Sequence, residues 1–436
     1  MFSLHDSTRT VLCRAVFVAL CLAPTGGIAA WCVAVRLPQY HVAHEASLSD
    51  QSGWTAHLSH VTTPRPGLVL YEGLQLSDPA SGQLLARLPA VEVDRQSAGT
   101  DIRLAQPATI NGMRLDALFD SARRMLRAVG DNQTLSLAAQ HVTLHLPDGD
   151  QTIANATGHL EADADGARLL VAFRPAGANG NAPTAAQPAM LEVMVSRQRS
   201  DDPRCVVRLN SGETPLPSSL IAGSWPTARR LGRACTFTGR ITATEKRAGW
   251  TLELVGQLRG IDLAQLMESY PHALSGSAEL QLEQARIENG RLVSASGTLT
   301  AGPGTISRSL IQAARDHLRL DVDRQTFVGR ENQLSYRRLH VAFTIDDKGL
   351  SLVGDSSSVA GAILADDRRV LVRQTSNQRQ PVVNLLRTLV PQSAVQVPAT
   401  RESAPLAAFL PVPPIMPPPG SEAPLPQARG IRVSPQ

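Results

Sequence analysis

The sequence predicts a mostly-β protein: a long antiparallel meander, interrupted by a few short amphipathic helices and preceded by a transmembrane segment. Three observations carry this expectation. Apolar residues recur at every second position through most of the chain, turn-forming pairs stand between these runs, and residues 15–35 carry no charge. With 32 glycines, 30 prolines and only 4% aromatic residues, the composition suits many short strands and turns.

The alternation falls on Leu68, Leu70, Leu74 and Leu76 in GLVLYEGLQL and on Val91 and Val93 in AVEVD. It continues on Leu135, Leu137, Val142 and Leu144 in TLSLAAQHVTLHL and on Leu169, Val171 and Phe173 in ARLLVAFR. Later runs are CVVRLN, GWTLELVG (Leu252, Leu254), AELQLEQARI (Leu280, Leu282), RLHVAFTID (Leu339, Val341, Phe343, Ile345) and GLSLVG (Leu350, Leu352). A period of two places such residues on one face of a strand. Asp148-Gly149, Asp165-Gly166, Asn289-Gly290 and Asp347-Lys348-Gly349 are hairpin turn signals. Together they predict roughly 14 to 17 strands, each antiparallel to its chain neighbours.

Helical spacing appears in three places. Residues 113–128 put Leu115, Leu118, Phe119, Ala122, Met125 and Leu126 on one stripe; 306–319 and 381–390 do the same with Ile306, Leu310, Ile311, Leu318 and with Val382, Leu385, Leu386, Leu389. Covering an end or edge of a sheet is the commoner use of such a stripe, and lying on a membrane surface is the alternative. Residues 175–188 read as a flexible insertion. Prolines crowd 391–436, which is expected to be disordered or extended. The expected organisation is a cytoplasmic stub with its anchor over 1–36, an exported β-rich domain over 37–390, and the proline-rich tail.

A helix over 15–35 would span a hydrocarbon layer of ~30 Å at about 1.5 Å per residue. Arg9 and Arg14 precede it, which places the amino end in the cytoplasm and the rest in the periplasm. A cleaved signal peptide is the rival reading, with Gly27-Ile28-Ala29 as the small-residue site. Of the five cysteines, Cys13, Cys21 and Cys32 lie in or beside this segment, and Cys205 and Cys235 lie far from it. They form a candidate disulfide that would close a loop of about 30 residues and stabilise the fold by about 3–4 kcal/mol; two buried free thiols are the alternative.

Chemistry is sparse. A net charge of +4 spread along the chain, with its Arg-Arg pairs far apart, argues against nucleic acid. No common catalytic signature is present, and no cofactor or metal site is expected. His141 and His145 on one strand would lie ~13 Å apart, too far for one zinc ion with bonds of about 2 Å. His41, His44 and Glu45 read as a solvated stretch just outside the membrane. Glu92, Asp94, Glu253 and Glu283 alternate with apolar residues and so face water. The N-x-T sequences at Asn132 and Asn155 matter only in a eukaryotic secretory pathway.

The anchor followed by GLVLYEGLQLSDPASGQLLARLPAVEVD resembles the start of AsmA-like proteins of Gram-negative envelopes. The stretch from Leu274 to Ile311, LSGSAELQLEQARIENGRLVSASGTLTAGPGTISRSLI, is similar to the hairpin-then-helix units of that family and its TamB-like relatives. The resemblance implies a sheet curled into an open, β-taco-like trough with an apolar lining. Such a trough would carry phospholipid tails between membranes or assist outer-membrane assembly, without enzymatic activity. The alternating residues from Leu68 to Ile345 named above are its lining candidates. Phospholipids, the inner membrane through 15–35 and envelope proteins are the implied partners. About 15 strands at ~4.8 Å make only ~70 Å, short for a conduit across a periplasm. An anchored scaffold with closed β-sandwiches has the same alternation, and an exported glycan hydrolase would need facing carboxylates.

Overall fold

The structure is a computed structural model that describes residues 11, 14–96, 99–112, 115–130, 133–146, 149–175, 187–196, 204–222, 230–323, 332–356, 359–375, 378–390, 406 and 408–411. A π-helix, Val18–Leu22, leads into α1 (Ala23–Arg36) and α2 (Pro38–Ser52). Then come β1 (Thr55–His57), β2 (His60–Arg65), β3 (Leu68–Ser77), β4 (Leu84–Gln96), β5 (Gly99–Leu104), β6 (Ala108–Asn111) and α3 (Leu115–Ala128). The middle of the chain forms β7 (Thr134–Leu146), β8 (Gly149–Ala162), β9 (Gly166–Pro175), β10 (Ala189–Ser196), β11 (Cys205–Asn210), β12 (Leu216–Pro217) and α4 (Ser218–Ala222). β13 (Thr236–Lys246), β14 (Gly249–Asp262), α5 (Leu263–Met267), β15 (Ser277–Glu288), β16 (Arg291–Ala301), β17 (Gly304–Ser307) and α6 (Arg308–Leu318) follow. The chain continues through β18 (Asp321–Val322), β19 (Gln333–Tyr336), β20 (Arg338–Asp346), β21 (Gly349–Val353), β22 (Asp355–Ser356), β23 (Val359–Ala360), β24 (Ala362–Ala365), β25 (Val370–Arg373) and α7 (Val383–Leu389).

One sheet holds 21 of these strands. Its pairing runs from β1 and β2, both on β3, through β4, then β5 and β6 end to end, then β7 to β11, β13 to β16 and β20. It finishes through β21 and β24, β25 and β18. β1 and β2 pair only with β3, and β18 only with β25, so among the described residues the sheet closes into neither a barrel nor a sandwich.

Several expectations are corrected here. The meander is not uniformly antiparallel: β5 and β6 both pair parallel with β7, because the chain crosses over through α3 before returning. Nor is the strand order sequential, since β16 is followed in the sheet by β20, with β17, α6, β18 and β19 inserted between them in the chain. The uninterrupted trough is corrected as well. The buried core is divided into four clusters, with helices packed over them.

The anchor fails too. Among the described residues no helix is long and apolar enough to cross a membrane. The apolar stretch is divided into a π-helical part and α1, whose 14 residues span ~21 Å against a hydrocarbon layer of ~30 Å. Among its described side chains, Phe17 and Leu20 are exposed. With the span go the single-pass inner-membrane topology, the periplasmic placement that rested on it, and the inner membrane and its phospholipids as partners.

Local chemistry explains the regular parts. Asn289 (φ +50) and Gly290 (φ +78) both take left-handed backbone, as a two-residue hairpin between β15 and β16 requires. Ser307 caps α6 by accepting the Leu310 N–H, and Asp262 caps α5 by accepting those of Ala264 and Gln265. The three sequence-predicted helices form as α3, α6 and α7; of the α3 stripe Phe119 and Leu126 pack on the sheet while Met125 is exposed, and α6 and α7 pack on the carboxy-terminal cluster and on each other.

The facing of the strands also changes along their length. Tyr71 and Leu74 share one core cluster although they are three residues apart, and Gly73 between them sits at φ +64. A Cβ there would lie 2.2 Å from Ser59 Oγ, so only glycine makes this turn of the strand. Farther along, Gly239 and Gly256 face each other across β13 and β14 at φ +150 and +148. A Cβ on Gly239 would meet the Val255 carbonyl oxygen at 2.2 Å. Replacing Gly239 with valine is expected to lower unfolding free energy by about 2–3 kcal/mol or more, measured by urea denaturation. A variant as stable as the parent would show that the strands do not approach this closely.

Candidate binding surface

Strand register decides which apolar side chains meet. Leu135 pairs with Leu160, Leu160 with Leu169, Leu169 with Val193, Val193 with Val207, Val207 with Ala243 and Ala243 with Leu252. One step along the strands, Val171, Leu191, Leu209, Ile241 and Leu254 form a parallel row. Directly opposed residues share a face, so both rows lie on the same side of the sheet.

Each core cluster on the sheet has helical side chains in it. Tyr40 and Leu48 of α2 join the cluster of Tyr71, Leu74 and Val91. Leu126 and Phe119 of α3 join that of Leu160, Val193 and Cys205, and Leu220 of α4 joins that of Val142 and Leu144. Helices α5, α6 and α7 supply Leu263, Ile311 and Leu386 to the largest cluster, at the carboxy-terminal end. Between them Val171 and Leu209 remain half-buried and belong to no cluster among the described residues. They flank Leu191, which packs on the cluster under α3, and Ile241, which packs on the largest cluster, follows Leu209, so a half-buried apolar row about 14 Å long crosses four strands with its gap at Val171 and Leu209.

On the far side of the Leu160–Leu252 row, α3 is tied to the sheet. Arg123 of α3 donates to both carboxylate oxygens of Glu245 at 2.9 Å, and Arg127 approaches the same group at 3.9 Å. Phe119 packs edge-on against Trp250, with ring centroids 6.3 Å apart. These contacts fasten α3 to β13 and β14. Cys205 lies across from Glu245, and burial, with the carboxylate next, pushes its thiol up to about 11.

Cys205 and Cys235 do not pair; both are buried free thiols. Cys205 is opposite Glu245 at one end of β13, whereas Cys235 immediately precedes Thr236 at the other. Nine residues at ~3.3 Å each separate those ends by about 30 Å.

The predicted lining residues divide between environments. Leu74, Val91, Val142, Leu144, Leu254, Leu282, Leu339 and Ile345 are buried. Leu68, Leu70, Leu76, Val93, Leu135, Leu137, Leu169, Val171, Phe173, Leu252, Leu280, Val341 and Phe343 are half-buried. Leu68 and Leu70 pair with Asp94 and Glu92, on the face opposite to the Val69–Val93 and Tyr71–Val91 pairs. Leu191, Leu209 and Ile241 were not among the expected lining residues. The alternation of Leu191, Val193 and Val195 in AMLEVMVS is the signal that would have found the first.

A second concavity opens where the β5–β6 line breaks. Glu92, Arg103, Gln140, Asn155 and Thr157 line a cavity of about 280 Å³ together with Leu104, Ala138 and Ala139. Asn155 bends β8 there at φ +51, beside a register shift against β9. Its groups are mostly exposed and do not assemble an acid and base pair.

Neither histidine pair assembles a metal site; among the described residues no group of three His, Cys, Asp or Glu side chains converges. His44 meets the Tyr71 hydroxyl at 3.1 Å, and burial lowers its pKa. His145 pairs with Asp150 at 2.7 Å. The buried histidine is His272, 5% exposed between β15 and the start of α6, with Nδ1 2.9 Å from Ser309 Oγ. Burial pushes its pKa down, the nearby Thr388 backbone works in the opposite direction, and Nε2 meets no hydrogen bond of good geometry.

Comparison with protein-family models, curated proteins and solved structures finds no match to this chain.

His272 gives the carboxy-terminal cluster a pH dependence. Its folded pKa lies below the ordinary value of about 6.5, so the unfolded chain takes up the proton first as pH falls. The stability that its neutral form contributes is present above that pH and is lost below it. Thermal melts from pH 7.5 to 5.5 are expected to fall less steeply in His272→Gln than in the parent, and identical slopes would remove His272 from this account.

Proposed function

We propose that this chain is a non-enzymatic binding scaffold whose open sheet receives an amphipathic helix from a partner polypeptide on the half-buried row of Val171, Leu191, Leu209 and Ile241. The carrying observation is the contrast along one apolar face, where every cluster has helical side chains in it, whereas Val171 and Leu209, on either side of Leu191 in the row, belong to no cluster among the described residues. Geometry supports a helix as the occupant. Strands stand ~4.8 Å apart and successive turns of a helix ~5.4 Å, so one stripe of apolar side chains can follow the row across the strands. The internal helices α3 and α6 use the same kind of stripe on the same sheet.

Kinship with AsmA-like proteins belongs to the same proposal. It is supported by the stretch from Leu274 to Ile311, which folds as the β15–β16 hairpin followed by the start of α6.

The reading is tested with a panel of labelled 18-residue amphipathic helical peptides, assayed by fluorescence anisotropy against the full chain. Binding in the micromolar range is expected for members with an apolar stripe and not for scrambled controls. Val171→Asp with Leu209→Asp should weaken it at least tenfold while leaving the far-ultraviolet circular dichroism unchanged. Absence of binding across the panel, or equal binding by the double variant, would refute the assignment.

A further inference from the structure

A segment of the proline-rich tail is docked into the core. Leu406, Phe409 and Leu410 all join the carboxy-terminal cluster, and Leu410 is only 5% exposed. Their spacing is i, i+3 and i+4, and the Leu410 N–H donates to the Leu406 carbonyl at 2.9 Å, closing a single helical turn. Pro405 and Pro411 bracket it in the sequence, so the turn cannot lengthen into a stable helix.

Among the described residues this turn is held to the core by apolar contact alone. Among the described residues no hydrogen bond or ion pair joins Leu406, Ala408, Phe409, Leu410 or Pro411 to the rest of the chain, and the only backbone bond is the one inside the turn. The strands, by contrast, are tied by continuous ladders. Releasing the turn therefore breaks no sheet pairing. Isolated helices shorter than ~12–15 residues do not persist in water, so its helical form is supplied by the surface it occupies. Three apolar anchors on one turn are the signature of helix-in-groove recognition.

We propose that the part of the carboxy-terminal cluster on which Leu406, Phe409 and Leu410 pack is a peptide-binding groove for an L-x-x-F-L turn, and that these three residues are the anchors of its tethered, exchangeable occupant. The fifteen residues 391–405 connect the turn to α7, and a connection of this length holds a ligand at an effective concentration on the order of millimolar. A turn that binds only weakly as a free peptide thus stays seated in its own chain. An untethered polypeptide with the same three anchors meets an occupied groove and has to displace it. This site is separate from the Val171–Leu209 row and does not depend on what fills that gap.

The experiment uses the full chain and a fluorescent peptide of residues 401–415. In one variant Leu406, Phe409 and Leu410 are each replaced by aspartate, which vacates the groove without altering it. The peptide is expected to bind this variant with Kd on the order of 10–100 μM and to bind the parent at least tenfold more weakly. A peptide carrying Leu410→Asp should bind neither. Equal binding to parent and variant, or binding to neither, would overturn the proposal. A second measurement separates a latch from a fixed part of the core. Hydrogen exchange at the Leu410 amide should proceed by local opening, much faster than at Leu282 in β15. Exchange of both amides at one rate would mean that the turn opens only when the whole domain unfolds, and would also overturn it.

Discussion

The structure depends on cross-strand register. From β7 to β14 each strand places its apolar residue directly opposite that of the next, so Leu160, Leu169, Val193, Val207, Ala243 and Leu252 fall into one file. A slip of one residue in any pair would turn the remaining apolar set toward the other face. Burial of that face supplies the hydrophobic stabilisation, at roughly 25 cal/mol per Å². Glycine is needed where the sheet must turn or coil while keeping the file intact, as at Gly73 and at the Gly239–Gly256 pair.

The chain covers the apolar face of this open sheet piecewise, with short helices and, at the carboxy-terminal end, with the separate β17–β19 ribbon that supplies Ile306 and Tyr336. This arrangement makes the helices local covers. Each is held by a few specific contacts: the Arg123–Glu245 ion pair and the Phe119–Trp250 edge contact for α3, the Ser307 cap for α6, and three apolar anchors for the 406–410 turn. In the proposed reading, the surface is a scaffold in which some positions are filled by the chain's own helices, one is filled exchangeably by the carboxy-terminal turn, and one at Val171 and Leu209 receives a partner.

Much of this was legible in the residues. Asn289-Gly290 announced its hairpin, and the stripes of α3, α6 and α7 lay where helical spacing placed them. The failures have physical causes. A helix between two strand runs permits a parallel crossover, which the reading of α3 as an interruption overlooked. Counting a period of two through Gly73 assigned Leu68 and Leu70 to the face of Val91 and Val93, because a left-handed glycine that re-aims the strand is invisible to a periodicity count. Hydropathy over 15–35 could not register that the segment divides into a π-helical part and a short α1. The Cys205–Cys235 pairing neglected the direction of β13, which carries the two thiols to opposite ends. Proline content hid the anchors at Leu406, Phe409 and Leu410, although their spacing was in plain view.

Register itself is open to direct measurement by cysteine crosslinking across β11 and β13. Leu209 stands opposite Ile241 and is offset by two residues from Ala243. With Leu209→Cys and Ile241→Cys together in one chain, mild oxidation should produce an intrachain disulfide, whereas Leu209→Cys with Ala243→Cys should remain reduced under the same conditions. Crosslinking of the second pair in preference to the first would mean that the file of apolar side chains does not exist as described, and the gap built on it would vanish with it.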